Sequence, residues 1–319
     1  MNLAELQRIY NQPLFELIQQ ARNVYLEHWK VDQVQLCTLL SIKTGGCSED
    51  CGYCSQSARH GGKIPAGKLL EKEVILCKAR EAAANGSTRF CMGAAWKGVR
   101  DGDAKFEQVL DTIRDVAKLG MEVCVTLGQL TLKEAQRLKE AGVTSYNHNL
   151  DTSPEYYAKI THSHTFQDRL DTIAAVQSVG MSVCCGGIIG MGETETDRLK
   201  MLEVLSHFTP PPESVPINCL IPQTGTPLEH QSGKIDIFEL LRLIATTRIA
   251  FPEAKVRLSA GRSLLTREAQ AFCFFAGANS IFYGDKLLTS GNADVSEDNA
   301  LLKELNLKAQ APHQSMARA

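Results

Sequence analysis

Apolar residues along the chain follow two alternating spacings. Short runs rich in β-branched and aromatic residues read VQLCTLLSI, TRFCMG, EVCVTL, VTSYNHN, SVCCGGIIG, SVPINCL, KVRLSA and NSIFYG. Between them lie stretches with apolar residues at helical spacing, such as FEQVLDTIRDVAKLG, LKEAQRLKEAG, RLDTIAAVQSVG and IFELLRLIATTRIA. Several of these stretches end at a glycine, which suits the left-handed position after a helix. The pattern predicts about eight β/α units around a parallel sheet.

About eight such units suit an α/β fold of the (β/α)8 TIM-type barrel class, which typically takes about 250 residues. We predict an N-terminal helical extension over residues 1–30, a barrel over residues 31–300 and a flexible C-terminal tail over residues 301–319. An open doubly wound sheet is the alternative. That fold usually has fewer strands and a glycine-rich phosphate loop after the first one, whereas the first predicted strand here leads into a cysteine-rich loop.

The charge balance argues against two classes of partner. Lys and Arg number 34 and Asp and Glu 36, so the net charge is -2, and this leaves no basic excess for nucleic acid or an acidic membrane face. The N-terminus lacks the unbroken apolar stretch of a signal peptide, and no apolar run reaches the roughly 18 residues of a membrane span. We therefore expect a cytoplasmic protein with no nucleic-acid or membrane partner. In that reducing compartment the 11 cysteines indicate metal or redox chemistry rather than disulfides.

Three cysteines follow the first predicted strand within KTGGCSEDCGYCSQSARH, residues 43–60. They are Cys47, Cys51 and Cys54, and they lie at the strand end where barrel active sites form. Three thiolates on a four-iron cubane leave one iron open to an outside ligand, which is the mark of a reactive metal site. The spacing alone leaves one alternative, a structural zinc ion with His60 or a distant cysteine as the fourth ligand.

Four further candidates lie within predicted strands: Cys91, Cys124, Cys184 and Arg257. Side chains alternate between the two faces of a strand. The apolar neighbours of Arg257 suit the helix layer, so its side chain is expected inside the barrel, where a buried cation needs anionic partners. The same alternation turns Cys184 inward and Cys185 outward. Packing as an ordinary core thiol is the alternative for each cysteine, and it is our interpretation for Cys37, Cys77, Cys219 and Cys273.

A polar segment, YNHNLDTS at residues 146–153, ends the fourth predicted strand. By the two-residue period Asn147, Asn149 and Asp151 share one side, while His148 falls on the opposite face and is expected to be structural. Amides suit a cyclic urea, and a carboxylate suits a ribose diol. A hydrogen-bonded turn that caps the next helix is the alternative.

Other segments supply further candidate contacts. GGIIGMGE, residues 186–193, offers bare glycine backbone and the side chain of Ile188 to a flat ring, but a simple strand-to-helix turn fits equally well. Lys43 precedes the cysteine loop and Asn218 ends the sixth predicted strand, so both are candidate substrate contacts. A solvated lysine and a capped loop are the alternatives.

The C-x3-C-x2-C motif, with the aromatic Tyr53 before its last cysteine, resembles the signature of the radical S-adenosylmethionine (SAM) superfamily. GGIIGMGE fits a G-x-I-x-G-x-x-E pattern found in many such enzymes. The resemblance implies that Cys47, Cys51 and Cys54 hold a [4Fe–4S] cluster whose open iron binds SAM. Reductive cleavage of SAM then gives a 5′-deoxyadenosyl radical, which abstracts hydrogen from C–H bonds that no protein base can ionise.

Across nearly its whole length the sequence further resembles the biotin synthase family. The resemblance implies a second cluster, [2Fe–2S], which supplies sulfur and is held by Cys91, Cys124, Cys184 and Arg257. It implies SAM contacts at Tyr53, Ala94, Asn149, Asp151 and Ile188, and dethiobiotin contacts at Lys43, Asn147, Asn149 and Asn218. The implied reaction inserts sulfur between C6 and C9 of dethiobiotin to form biotin, the last step of biotin biosynthesis.

The resemblance also implies partners: an electron donor such as flavodoxin with its reductase, iron–sulfur assembly proteins, and a second copy of the chain in a homodimer. Two other functions stay open. A related radical enzyme with another substrate would share the three-cysteine loop but need not share the strand cysteines and the arginine. A regulatory iron–sulfur or zinc protein would not cleave SAM and would need a partner-binding surface, for which the sequence offers no basic or apolar stripe.

Overall fold

A closed parallel barrel forms the centre of the computed structural model, which describes residues 1–62, 64–233 and 235–311. The strands in these ranges are β1 (Gln33–Lys43), β2 (Arg89–Ala94), β3 (Glu122–Thr126), β4 (Ser145–Asn147), β5 (Ser182–Cys184), β6 (Gly187–Ile189), β7 (Ser214–Cys219), β8 (Lys255–Leu258), β9 (Ser280–Phe282) and β10 (Lys308–Ala309). Their pairings are parallel, and β9 pairs with β1 to close the barrel. β5 and β6 share one strand position, because both pair with β7. The predicted (β/α)8 barrel is therefore confirmed.

Helices connect the strands, and local sequence explains where several of them begin and end. They are α1 (Leu3–Tyr10), α2 (Leu14–His28), α3 (Lys72–Ala84), α4 (Ala104–Ala117), α5 (Leu132–Ala141), α6 (Pro154–Tyr157), α7 (Phe166–Ser178), α8 (Glu195–Ser206), α9 (Ile237–Ala250), α10 (Arg267–Phe275) and α11 (Val295–Glu304). Thr131, Thr165 and Thr194 form capping boxes at the starts of α5, α7 and α8. Gly142 ends α5 with a φ of 106°. Within the described ranges, no helix has the length and apolar character needed to cross a membrane.

Segments before β1 and after β9 pack onto the barrel. α1 and α2 precede β1, and α2 packs against α9 through a buried face that includes Leu17, Ile18 and Ala21. The other end differs from the expected flexible tail over residues 301–319. There α11 continues to Glu304 and β10 pairs with β1, so apolar packing and a strand pairing order this segment. Residues 312–319 of the expected tail lie outside the described residues.

The run SVCCGGIIG, predicted as one strand, forms the two short strands β5 and β6. Gly186 lies between them, and a Cβ atom at this position would be 2.0 Å from the carbonyl oxygen of Pro216. Only glycine permits so close an approach of two backbones. The carbonyl of Gly186 accepts a hydrogen bond from the amide of Asp151 at 3.1 Å. The break therefore lets the polar segment after β4 hydrogen-bond to the backbone between β5 and β6.

Candidate active site

The three-cysteine loop leaves the C-terminal end of β1 and folds back on itself. The amide of Cys47 donates to the carbonyl of Gln56 at 2.9 Å, and the amide of Ala58 donates to the carbonyl of Cys47 at 2.7 Å. Gly45 has a φ of 70°, and a Cβ atom there would lie 2.3 Å from the carbonyl oxygen of Pro65. The turn therefore requires glycine at this position. The loop presents its thiols at the barrel mouth.

Residues 160–164, which follow α6, hold this loop in place. The amide of Gly52 donates to a carbonyl of this segment at 2.7 Å. The carboxylate of Asp50 accepts hydrogen bonds from two backbone amides of the same segment, at 2.9 Å each. Nδ1 of His164 lies 2.6 Å from the Glu49 carboxylate. Burial alone would raise the pKa of Glu49, but hydrogen bonds from His164 and its neighbouring serine outweigh burial and lower the pKa to about 2. The loop is thus fixed by an ionised carboxylate.

Burial also sets the protonation of the loop thiols. It raises the pKa of Cys51 to about 12 and that of Cys54 to about 11. The pKa of Cys47 is raised as well, again chiefly by burial. Only thiolates bind iron, so the binding of iron to this loop has to displace protons.

A cavity of about 340 Å³ opens at the mouth of the barrel. Its lining contains most of the site residues predicted from the sequence: Cys47, Cys51, Tyr53, Cys54, Ala94, Asn147, Asn149, Asp151, Ile188 and Asn218. Lys43 is not part of this lining. Its ammonium group donates instead to the carbonyl of Gly45 and, at 3.0 Å, to that of Ala95. In this structure the ammonium group of Lys43 therefore braces the cysteine loop, and its contact with substrate stays a prediction.

Asp151 lies in the cavity wall with a φ of 68°, a left-handed conformation that aspartate adopts more readily than most residues. Its carboxylate accepts the Tyr53 hydroxyl at 2.8 Å and Nη2 of Arg169 at 3.0 Å. Burial raises the pKa of Asp151, and Arg169 and Tyr53 partly offset that rise. Arg169 also donates to the Tyr157 hydroxyl at 2.7 Å, which lies 2.6 Å from Nε2 of His164. A continuous hydrogen-bond chain thus joins Asp151 to the cysteine loop.

The amides at the end of β4 connect the cavity to the strands beneath it. Nδ2 of Asn147 lies 3.3 Å from Oδ1 of Asn149 and 3.3 Å from Sγ of Cys184. Asn149 accepts the amide of Gly186 at 3.2 Å. On β7, Asn218 directs its own Nδ2 to the carbonyl of the glycine that begins β6, at 3.0 Å. Asn147 is therefore in contact with both levels of the barrel interior.

An inner layer that contains several thiols and one guanidinium lies beneath the cavity. Its members are buried, with exposed fractions of 5% or less, and include Cys91, Cys124, Cys184 and Arg257. Nη1 of Arg257 lies 3.5 Å from Sγ of Cys184, and its Nε donates to the Ser280 hydroxyl at 2.9 Å. Cys185 packs instead in the outer apolar core, as the alternation predicts.

Two apolar side chains separate the inner layer from the cavity. Leu39 and Phe282 pack against the inner thiols, and both also line the cavity. The centre of the Phe282 ring lies 5.2 Å from Cζ of the Arg257 guanidinium. The thiols of the loop and the thiols of the strands are therefore two separate groups at two depths.

Paired charges close the other end of the barrel. Nη2 of Arg89 lies 2.6 Å from the carboxylate of Glu122 and 2.8 Å from that of Glu213, and Lys255 pairs with both carboxylates. Arg89 is only 2% exposed. Burial acts to lower the pKa of Arg89, but the two carboxylates outweigh it and the pKa is raised. Arg89 precedes Cys91 by two positions, so this charged layer lies directly under the thiols.

The two-residue alternation of strand side chains does not predict the position of three residues in the barrel interior. His148 lines the cavity because β4 ends at Asn147, so the two-residue period does not extend to it. Arg169 comes from α7, where no motif marks it. Cys37, interpreted as an ordinary core thiol, lies in the inner layer against Cys91 and Cys124. The strand register, which the sequence does not show, was the missing signal for Cys37.

Three thiols on one loop are the donor type that iron–sulfur clusters take. In residues 1–62, 64–233 and 235–311, no three His, Cys, Asp or Glu side chains are placed to share one metal ion. The thiolates of a [4Fe–4S] cluster bind different irons, so they stand farther apart than the ligands of one ion, and each iron of a [2Fe–2S] cluster takes only two protein ligands. His60, the alternative zinc ligand, lies with Nε2 3.0 Å from the carbonyl oxygen of Cys51. In this structure His60 therefore contacts the backbone of the cysteine loop.

Comparisons with known proteins agree with this geometry. The Radical SAM superfamily model matches residues 41–205, and the Biotin and Thiamin Synthesis associated domain model matches residues 216–308. A biotin synthase from Christiangramia forsetii is 54% identical over 96% of this chain and 84% of its own length. One from Gloeobacter violaceus is 53% identical over 96% of both chains. The solved structure of a methylornithine synthase matches 97% of this chain and 94% of its own with a TM-score of 0.78 at 20% identity, which shows the shared fold.

The barrel, the thiol-bearing loop at its mouth and the superfamily match define an enzyme of the radical SAM class, which uses SAM and a [4Fe–4S] cluster. The chain belongs to the biotin synthase family. It is a radical SAM sulfurtransferase, and its reaction inserts sulfur into dethiobiotin, between C6 and C9, to form biotin.

Proposed function

We propose that the barrel divides this reaction between two iron–sulfur sites at different depths. The observation that supports the division is the separation of the loop thiols from the inner thiols by Leu39 and Phe282. When bound, the [4Fe–4S] cluster with SAM supplies the one-electron chemistry that removes hydrogen from unactivated carbon, and a [2Fe–2S] cluster supplies the sulfur.

At the upper site, Cys47, Cys51 and Cys54 are the proposed cluster ligands, since all of them line the cavity. The loop supplies no further thiol, so one iron stays available to SAM. The bonds from Glu49 and Asp50 to residues 160–164 fix the loop backbone, and this keeps the thiols in position when the cavity is entered.

SAM is proposed to lie along the wall formed by β2, the polar segment after β4, and β6. Asp151 and Asn149, which line the cavity, are proposed to hold the ribose diol, and Tyr53 orients Asp151 through its hydroxyl. The backbone of Ala94 is available to the methionine end, and the side chain of Ile188 to the adenine ring. The carboxylate of Asp151 stays fixed because Arg169 also holds it.

Dethiobiotin is proposed to bind between SAM and the inner layer. Asn147 and Asn218 line the cavity and offer both donors and acceptors, which suits a cyclic urea. Asn147 also lies 3.3 Å from the sulfur of Cys184. A substrate held by Asn147 therefore sits directly over the proposed sulfur donor.

The inner site is proposed to hold the [2Fe–2S] cluster through Cys91, Cys124, Cys184 and Arg257. Burial would lower the pKa of Arg257, but the neighbouring thiols Cys37 and Cys184 outweigh burial and raise it. Arginine is an unusual metal ligand, because its guanidinium holds its proton tightly. A weak fourth ligand suits a cluster that gives up sulfur during the reaction.

The remaining parts of the proposal concern partners and organisation. An external one-electron donor such as flavodoxin with its reductase supplies electrons, and iron–sulfur assembly proteins refill the inner site. We propose a cytoplasmic homodimer in which residues 1–30 are an extension to the barrel of residues 31–300. The support for these points is membership of the family.

Iron and sulfide counting, together with product analysis, tests the division of labour. The chain is reconstituted without oxygen, its clusters are counted by Mössbauer spectroscopy, and 5′-deoxyadenosine and biotin are quantified with dethiobiotin and reductant. Cys54→Ala should abolish both products. Cys184→Ala should spare 5′-deoxyadenosine more than biotin, because it alters only the inner layer.

Cys185→Ala is the matched control, since Cys185 is the adjacent cysteine but packs in the outer core. It should give both products at yields close to those of the unchanged chain. Biotin yields from Cys184→Ala that equal those from Cys185→Ala would show that the inner layer is not the sulfur donor.

A further inference from the structure

The inner layer contains a cysteine to which the reaction described above assigns no role. Cys37, on β1, is completely buried and packs against Cys91 and Cys124. We propose that Cys37 is an alternative ligand of the inner [2Fe–2S] cluster, which the chain can then hold by four thiolates when Arg257 is displaced. This inference rests on the proposed inner cluster and adds a second ligand set to it.

The position of Cys37 in the barrel is the first reason. In barrels of this class each interior layer takes one side chain from alternate strands. Cys37, Cys124, Cys184 and Arg257 come from β1, β3, β5 and β8, which are alternate strand positions because β5 and β6 share one. Cys37 therefore occupies the place in the layer that the other three leave open.

The partners of Cys37 are the second reason, because Arg257 uses the same ones. Sγ of Cys37 lies 3.3 Å from Oε1 of Gln35, and Nη2 of Arg257 lies 3.2 Å from that oxygen. The Ser280 hydroxyl lies 3.6 Å from Sγ of Cys37 and 2.9 Å from Nε of Arg257. The thiol and the guanidinium are thus side by side around Gln35 and Ser280, so a metal close to one is close to the other.

The chemistry of the two groups is the third reason. A thiolate is a soft anion and the ordinary ligand of a [2Fe–2S] cluster, whereas a guanidinium must first lose a proton that it holds tightly. When Cys37 replaces Arg257 on iron, the thiol gives up one proton and the released arginine takes up one, so Arg257 is again a guanidinium that donates to Gln35 and Ser280. The exchange therefore requires no oxidant or reductant.

The other cysteines without an assigned role lie elsewhere. Cys77 is exposed on α3, Cys185 and Cys273 pack in the outer core, and Cys219 lines the upper cavity. Cys273 is as deeply buried as Cys37, at 0% exposure, but lies outside the barrel interior on α10. It therefore provides a control of the same residue type and burial.

Two double variants test the proposal: Arg257→Met with Cys37→Ala, and Arg257→Met with Cys273→Ala. Each chain is reconstituted anaerobically, the [2Fe–2S] content per chain is measured by Mössbauer spectroscopy, and its loss to a chelator is timed. The Arg257→Met/Cys273→Ala chain should retain the cluster, because Cys37 replaces the arginine. The Arg257→Met/Cys37→Ala chain should lose it about tenfold faster or fail to form it. Circular dichroism of both metal-free chains verifies folding.

Equal retention in the two double variants would overturn the role of Cys37, and so would complete loss of the cluster from the Cys273→Ala double variant. A separate arm tests the proposed inner site itself. Cys124→Ala should remove the [2Fe–2S] signal from an otherwise unchanged chain. If the unchanged chain never shows that signal, or Cys124→Ala keeps it, the inner site fails, and this result is distinct from failure of Cys37 alone.

Discussion

At the scale of single residues, burial makes the loop thiols weak nucleophiles in the metal-free chain. Burial raises the pKa of Cys54 to about 11, so thiolate is scarce at neutral pH. In the metal-free chain we expect alkylation of Cys54 to accelerate about tenfold per pH unit between about pH 7 and pH 10. Mass spectrometry of iodoacetamide adducts measures this rate, with exposed Cys77 as the internal reference. A plateau at Cys54 near pH 9 would contradict the prediction.

Single residues also show how far sequence reasoning reaches. The two-residue period places Arg257 and Cys184 inside the barrel, and both are there, because faces alternate along any strand. The period fails at His148 because the strand has already ended. Arg169 meets Asp151 only through the packing of α7 against the barrel mouth, and such a contact leaves no local pattern.

At the scale of elements, the cysteine loop depends on the segment after α6. Glu49→Gln removes the charge that His164 contacts, so we expect faster loss of the upper cluster to a chelator, by about threefold or more. The pKa of Glu49 is lowered to about 2, so its stabilising contribution is complete above about pH 4.3 and is lost as the pH falls toward 2. Acid unfolding of the metal-free Glu49→Gln chain should therefore depend less on pH in that window.

Glu73→Gln, an exposed position on α3, is the control for both measurements. It should leave the rate of cluster loss and the acid profile as they are in the unchanged chain. Equal behaviour of Glu49→Gln and Glu73→Gln would show that the contact with His164 does not stabilise the loop.

The strands and helices are the part of this structure that the sequence predicts best. The strand runs and the helical stretches between them are found because their periods differ, and this suffices for the barrel. The sequence pattern does not predict the break at Gly186, because the break depends on the carbonyl of Pro216, which is far from Gly186 along the chain. Likewise β10 is short and exposed, and only its pairing with β1 defines it.

At the scale of the whole molecule, the charged layer under the thiols is expected to stabilise the barrel. Arg89→Met leaves the carboxylates of Glu122 and Glu213 with Lys255 but without the Arg89 guanidinium, and this should lower the free energy of unfolding by about 3 kcal/mol. Denaturant unfolding of the metal-free chain measures the change. Lys78→Met, which breaks an exposed pair on α3, should leave the unfolding midpoint unchanged. Equal midpoints for the two variants would contradict the prediction.

The origin of the sulfur in biotin tests most directly whether the inner layer is the donor. The chain is reconstituted with iron and ³⁴S-labelled sulfide, transferred to unlabelled medium, and allowed one turnover with SAM, dethiobiotin and reductant. Biotin from the unchanged chain should carry ³⁴S, and Cys184→Ala, which keeps the labelled upper cluster, should yield almost no labelled biotin. Unlabelled biotin from the unchanged chain, or labelled biotin from Cys184→Ala at the same yield, would contradict the inner site as the sulfur source.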